Sequence, residues 1–312
     1  MSLHRLTSIT VGVPDVEGTA AYYTEFGLRS AGPSPGGGLR FATRDGGEQL
    51  DLVPASRRRL VHLGVGTHDA DDLGRVQAAL ARLDIAGRVT GDALSAVDPG
   101  SGLEVTVAVA PEVVEQPVTP DPTNGPGRAD RPNGRAPAVE RDNPVRPRKL
   151  GHVVMGSVDR AATQRFFVDG LGFRISDEIP GLASFMRCST DHHNLLVLQA
   201  PLNFLHHTAW EVDDVDEVGR GATKMLEGHP ERHVWGLGRH HIGSNFFWYL
   251  RDPAGNFSEY YSDLDTIVSD GLWQPSVVDA ARSLYNWGPP LPPSFIEPED
   301  LAELMTASHQ PG

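Results

Sequence analysis

Cysteine is almost missing from the 312 residues: Cys188 stands alone. One thiol forms no internal disulfide and no cysteine-rich metal site, so nothing asks for an oxidising compartment. Cys188 is expected to pack as a small hydrophobe. Long apolar runs are missing too. None approaches the ~18 residues needed to span a bilayer, and Met1 to Arg5 lacks the apolar core of a secretory signal. Positive charge is short, with Lys+Arg 27 against Asp+Glu 41, and the net charge of −14 repels a phosphate backbone. The expectation is a soluble cytoplasmic protein with no membrane and no nucleic-acid partner.

Apolar material is ample, at 39% hydrophobic against 22% charged residues, so real cores are expected. Nine of the 25 prolines fall between Pro111 and Arg148, a stretch with almost no apolar periodicity. Such a segment buries too little surface to offset its ordering entropy, and it reads as a linker over 111–148. Two folded halves remain, 4–110 and 149–262, followed by a tail, 263–312.

The halves look alike. In the first, Leu6 to Asp15 reads as a strand leading into an amphipathic helix that carries Tyr22 and Tyr23. In the second, Leu150 to Asp159 leads into a helix that carries Phe166 and Phe167. Leu60 to Val65 followed by Asp71 to Arg75 mirrors Leu205 to Trp210 followed by Asp216 to Arg220. Each half closes on an Asp-Pro turn and a glutamate, Glu104 or Glu259. The chain therefore holds four strand–helix–strands units. Helices mixed with hairpin-connected strands predict an α+β protein, two domains each forming a curved sheet around a cavity.

The repeat picks out residues to compare. His152 lies on the first strand of the third unit, opposite Ser8 of the first half. His207 matches His62, and the Asp-Pro turns set Glu104 opposite Glu259. The second half thus offers His152, His207 and Glu259, and the first half is one ligand short. Two imidazoles and a carboxylate leave one face of a metal open, which suits ferrous iron binding a chelating substrate; zinc in such a shell would act as a Lewis acid. In the pairs His206–His207, His192–His193 and His240–His241, strand alternation predicts that only one ring of each faces the cavity.

Leu150-Gly151-His152, Asp191-His192-His193, Leu205-His206-His207, Gly238-Arg239-His240, Phe247-Trp248-Tyr249 and the stretch from Asp252 to Glu259 occur in the order seen in type I extradiol ring-cleavage dioxygenases. Tyr249 lies ten residues before Glu259 and His193 fourteen before His207. The second half resembles these members of the vicinal oxygen chelate superfamily, which are built from βαβββ modules; the first half resembles a degenerate copy. The resemblance implies that His152, His207 and Glu259 hold Fe(II), with Mn(II) as the alternative. It implies His193 as the acid/base, and Tyr249 and His240 as hydrogen-bonding residues of the pocket. The implied reaction joins a small aromatic diol and dioxygen, opens the ring beside the two hydroxyls, and yields a semialdehyde or keto-acid. A homo-oligomer is also implied.

Val154, two residues after the first ligand, and Trp235, five before His240, stand where relatives that take acidic catechols carry a polar residue and an arginine. An apolar or neutral ring substituent is the expectation, although Arg174, Arg187, Arg239 and Arg251 lie in the same half. The tail resembles a segment that some relatives fold over the active-site mouth, with Pro298 opening a short helix. Two other readings are a glyoxalase-like isomerase, which does not need His193, His240 and Tyr249, and a non-enzymatic binder of aromatic ligands.

Overall fold

The computed structural model describes residues 2–278, 284–296, 300 and 304. The start predicted for a helix at Pro298 lies outside the described residues. Four βαβββ units follow one another along the chain. The first is β1 (Leu3–Val13), α1 (Val16–Glu25), β2 (Arg29–Pro33), β3 (Leu39–Ala42) and β4 (Glu48–Pro54). The second is β5 (Arg59–Thr67), α2 (Ala70–Arg82), β6 (Arg88–Thr90), β7 (Ala93–Val97) and β8 (Glu104–Val109). The third is β9 (Leu150–Ser157), α3 (Arg160–Arg165), β10 (Arg174–Ile179), β11 (Ala183–Arg187) and β12 (Leu195–Gln199). The fourth is β13 (Phe204–Glu211), α4 (Val215–Leu226), β14 (His233–Arg239), β15 (Phe246–Arg251) and β16 (Phe257–Ser262).

Each helix starts the same way. Asp15, Asp69, Asp159 and Asp214 each accept a backbone N–H three residues on, from Gly18, Asp72, Ala162 and Glu217. Such caps contribute roughly 1 kcal/mol apiece and fix where each strand turns into its helix. The two units of each half then join edge to edge into one eight-stranded sheet. The orders are β2-β3-β4-β1-β5-β8-β7-β6 and, in the second half, β10-β11-β12-β9-β13-β16-β15-β14. In the second sheet β9, β13 and β16 are therefore adjacent and central.

The halves pack through their helices. Alternation along β16 sends Phe257 and Glu259 to one face, and Ser258 and Tyr260 to the other. On that back face Tyr22 of α1 meets the Ser258 hydroxyl at 2.5 Å. Phe26 stacks on Tyr260 at 3.9 Å between ring centroids, and the Tyr260 hydroxyl donates to the Phe26 carbonyl. Next to them α2 closes on the π-type turn Phe166–Leu171 that prolongs α3. Gly170 permits that approach, since a Cβ there would lie 2.8 Å from Leu80. The result is one buried apolar cluster drawn from both halves.

The proline-rich stretch is strapped down by charge. Arg148 pairs with Asp45 and Asp213, and Arg141 with Asp121 and Asp214. The Lys149 ammonium sits among Glu115, Asp191 and Glu211 at 2.8, 3.1 and 3.2 Å. These carboxylates, against the effect of burial, hold the Lys149 pKa above its ordinary value. Burial raises Glu211 to about 7. Among the described residues no helix is long and apolar enough to cross a membrane.

Candidate metal centre and active site

Register brings three side chains to one point. Ala209 of β13 lies opposite His152 of β9 on one side and Glu259 of β16 on the other. Directly paired residues project to the same face, so His152 and Glu259 flank Ala209, and His207 follows two residues earlier on that face. A methyl group at Ala209 leaves the space between them open. The candidate ligand atoms of His152, His207 and Glu259 all lie within 4.8 Å of one another, and all three residues are buried. Glu259 Oε2 is 3.2 Å from His152 Nε2 and 3.5 Å from His207 Nε2.

The donor set fits a divalent cation. The Glu259 carboxylate is fully buried, and among the described residues no lysine or arginine pairs with it; its neighbours are Asn245 Nδ2, at 3.1 Å, histidines and the Tyr249 phenol. A buried carboxylate in such surroundings is costly unless a cation completes it. His207 Nε2 is also buried without a hydrogen-bond partner. Its orientation is set from behind. His206 Nε2 donates to the Phe295 carbonyl at 2.6 Å, so His206 Nδ1 accepts from His207 Nδ1 at 2.7 Å, and the lone pair of His207 Nε2 is left for a metal. Burial pushes His206 down to about 4, so it stays neutral near pH 7.

Strand alternation predicts that His206 and His207 diverge, and it fails here for a local reason. A bulge between Leu205 and His207 breaks the β9–β13 register, and both rings line the cavity. His192 and His193 lie on the turn before β12, where alternation does not apply. His193 lines the cavity, its ring 4.2 Å from that of His152, while His192 sits behind it. Asp177 Oδ2 is 3.1 Å from His192 Nε2, and His192 Nδ1 is 3.1 Å from His193 Nδ1. With His192 donating to the carboxylate, His193 donates from Nδ1 and keeps a free lone pair at Nε2. Burial, and then the neighbouring His152 and His192, hold the His193 pKa well below its ordinary value.

His240 Nδ1 donates to the Leu284 carbonyl, so its Nε2 accepts from the Tyr249 hydroxyl at 2.9 Å. Burial raises the Tyr249 phenol well above its usual range, and nearby Glu259 adds to this. Tyr249 stays a proton donor at neutral pH.

His152, His193, His206, His207, His240 and Tyr249 line a cavity of about 500 Å³. Its walls are apolar, from Val154 and Phe185 to Leu182, Phe204, Leu291 and Ile296. Val154 is thus on the wall, but Trp235 is not. Its ring packs behind Tyr249 and Phe295, and Nε1 donates to the Pro289 carbonyl. None of the four arginines lines the cavity. Arg174 and Arg187 pair with Asp270, Arg239 with Asp263, and Arg251 lies over Phe257.

The first half needs a correction. Its pairings run Ser8 to Gly64, Thr10 to His62, and Gly64 to Thr106. Superposed on His152–Ala209–Glu259, they make Thr106, not Glu104, the counterpart of Glu259. Glu104 is exposed two residues earlier, and His62 Nε2 bonds Thr106 Oγ1 at 2.8 Å instead. The first half has lost two ligands rather than one. His62→Ala is expected to leave metal content and turnover within about two-fold, as for a substitution remote from the chemistry; loss of metal from that variant would contradict this account. Asn245, His206 and the Asp177–His192 pair were not legible as site residues in the sequence, because each acts through a contact distant in sequence or through the bulge.

Comparisons with known proteins bear on this geometry. Residues 149–260 match the Glyoxalase/Bleomycin resistance protein/Dioxygenase superfamily. Metapyrocatechase 2 of Cupriavidus necator is 32% identical over 306 residues, 95% of this chain and 92% of that protein. Biphenyl-2,3-diol 1,2-dioxygenase of Paraburkholderia xenovorans is 27% identical over 310 residues, 92% of this chain and 95% of the relative. A solved Mn(II)-bound glyoxalase from Novosphingobium aromaticivorans superposes with a TM-score of 0.72 at 25% identity, covering 93% of this chain and 94% of that one.

Proposed function

The chain belongs to the extradiol dioxygenases of the vicinal oxygen chelate superfamily, and from that premise we propose that it opens a catechol bearing an apolar substituent, using dioxygen and a metal held by His152, His207 and Glu259. The observation that carries this reading is the convergence of those three buried side chains, two of which, His152 and His207, line an apolar cavity. When bound, the metal supplies Lewis acidity and a path for electrons between the diol and dioxygen. Fe(II) is the metal we assign. The Mn(II) of the superposed structure makes manganese the alternative.

The rest of the chemistry is the chain's own. His193, neutral and with Nε2 free, takes a proton from a substrate hydroxyl and returns it later in the reaction. The Tyr249 hydroxyl hydrogen, held by His240 Nε2 in the substrate-free chain, turns to a substrate oxygen on which negative charge develops once the diol is bound. Val154, Phe185 and Leu196 exclude water and grip the ring. With no lysine or arginine among the described lining residues, a carboxylate on the substituent would be desolvated without a partner, so aryl or alkyl groups are favoured.

An isomerase reading has the glyoxalase match in its favour. It leaves His193, His240 and Tyr249 without work, and we rank it second. A homo-oligomer belongs to the same reading. The lone cysteine agrees with a cytoplasmic location.

The test is anaerobic loading with Fe(II) or Mn(II), addition of catechol, 3-alkyl- and 3-phenylcatechol and a carboxylated catechol, then admission of air. The expected result is a yellow ring-opened product, one oxygen consumed per diol, and a preference of at least ~10-fold in kcat/KM for the apolar substituents, as for one well-filled apolar subsite. No oxygen uptake with any diol by metal-loaded protein would overturn the reading.

A further inference from the structure

The N-terminal half lacks a complete metal triad, yet one of its side chains reaches the catalytic cavity's supports. In the run Arg57-Arg58-Arg59 that enters β5, only Arg58 is buried. Its guanidinium crosses to the other half. Nη1 donates to the Leu205 carbonyl at 2.7 Å and lies 3.5 Å from Asn256 Oδ1. Nε and Nη2 donate to the two carboxylate oxygens of Asp300 at 2.5 and 2.8 Å.

Both partners matter to the site. Leu205 is the residue at which β13 bulges to present His206 and His207. Asp300 lies five residues beyond Phe295, whose carbonyl accepts from His206 and whose ring packs 4.6 Å from that of Tyr249. Leu284, Leu291, Phe295 and Ile296 of the same C-terminal segment line the cavity. One planar donor set therefore ties the tail to the base of the ligand strand. A lysine offers a point charge and could not hold a carbonyl and both carboxylate oxygens in that fork.

We propose that Arg58 is a positioning residue for the reaction: by holding Asp300 and the Leu205 carbonyl together, it fixes the C-terminal segment as the outer wall of the cavity. The kinetic part of this inference rests on the ring-cleavage reading above; the contact itself does not. The wall meets the ring substituent and not the diol. Loosening it therefore penalises substituted substrates, because remote contacts position the reacting end and misplacement by about 1 Å can cost ~100-fold.

The test uses the metal-loaded full chain as wild type, Arg58→Ala, Arg58→Lys, Asp300→Asn and the Arg58→Ala/Asp300→Asn double variant. Oxygen uptake is measured with catechol and with 3-phenylcatechol. Chymotrypsin cleavage at Tyr285, Trp287 and Phe295 is followed without substrate. For Asp300→Asn we expect kcat/KM to fall ~10–100-fold with 3-phenylcatechol and ~3-fold or less with catechol, with faster cleavage of the tail. The double variant should be no worse than Arg58→Ala, since both remove one contact. Arg58→Lys should recover only part of the loss. Asp300 is about one-third exposed, so its variant keeps the test open if Arg58→Ala does not fold. An unchanged preference between the two catechols, with wild-type resistance to digestion, would overturn the proposal. Wild-type protein that cleaves no diol would overturn the ring-cleavage reading and the kinetic part with it; the digestion arm then judges the latch alone.

Discussion

His207→Ala yields a folded protein that leaves gel filtration without stoichiometric metal and turns over at least ~1,000-fold more slowly than wild type, a larger loss than the ~10–100-fold typical of residues that only support a ligand. The reason is geometric. Removing this imidazole leaves His152 and the fully buried Glu259 as the remaining members of the triad. His206 cannot move in to replace it, because its Nε2 is committed to the Phe295 carbonyl at 2.6 Å. The fold tolerates the change, since β13 keeps its pairing with β9 and β16 through the backbone. Metal analysis beside circular dichroism checks this. A variant that keeps one metal per chain would remove His207 from the ligand set.

His193→Ala separates binding from proton transfer. Metal content should stay at the wild-type level, because His193 is not among the three converging ligand atoms. Turnover should fall ~100- to 10,000-fold, the usual contribution of a positioned acid/base, while KM changes little. The geometry behind this is specific. Asp177 and His192 orient the His193 ring and determine which nitrogen carries the proton, and burial keeps the group neutral and ready to accept one. Single-turnover rates at equal metal loading make the measurement. Unchanged kinetics would assign His193 to the cavity wall alone.

Much of this arrangement could be read from the residues in order. The duplicated pattern of strand, aspartate and aromatic helix is local, and the four aspartate caps make it so. His152, His207 and Glu259 were legible because they sit on equivalent strands of that repeat. What escaped depends on register and on distance through space. The bulge at Leu205 turns two adjacent histidines to one cavity, which no alternation rule anticipates. The Asp98 and Asp252 turns differ in length by one residue before their glutamates, and this conceals that Thr106 faces the position of Glu259. Trp235 lies at the expected spacing but behind Tyr249, because β14 is bulged around it. Arg58 comes from the half without a metal site, 242 residues from its partner Asp300.

The aromatic helix α1 gives the two copies of the repeat unequal freedom to change. Ser8 and Thr106 stand at the counterparts of His152 and Glu259 and carry no candidate metal ligand. Tyr22 and Phe26 press on Ser258 and Tyr260, the two residues either side of Glu259, and so form the back of the strand whose front carries that candidate ligand. The first half is thereby tied by packing to the site in the second. Substitutions in it should be judged by which face of β16 they disturb, rather than by their distance along the chain from the active site.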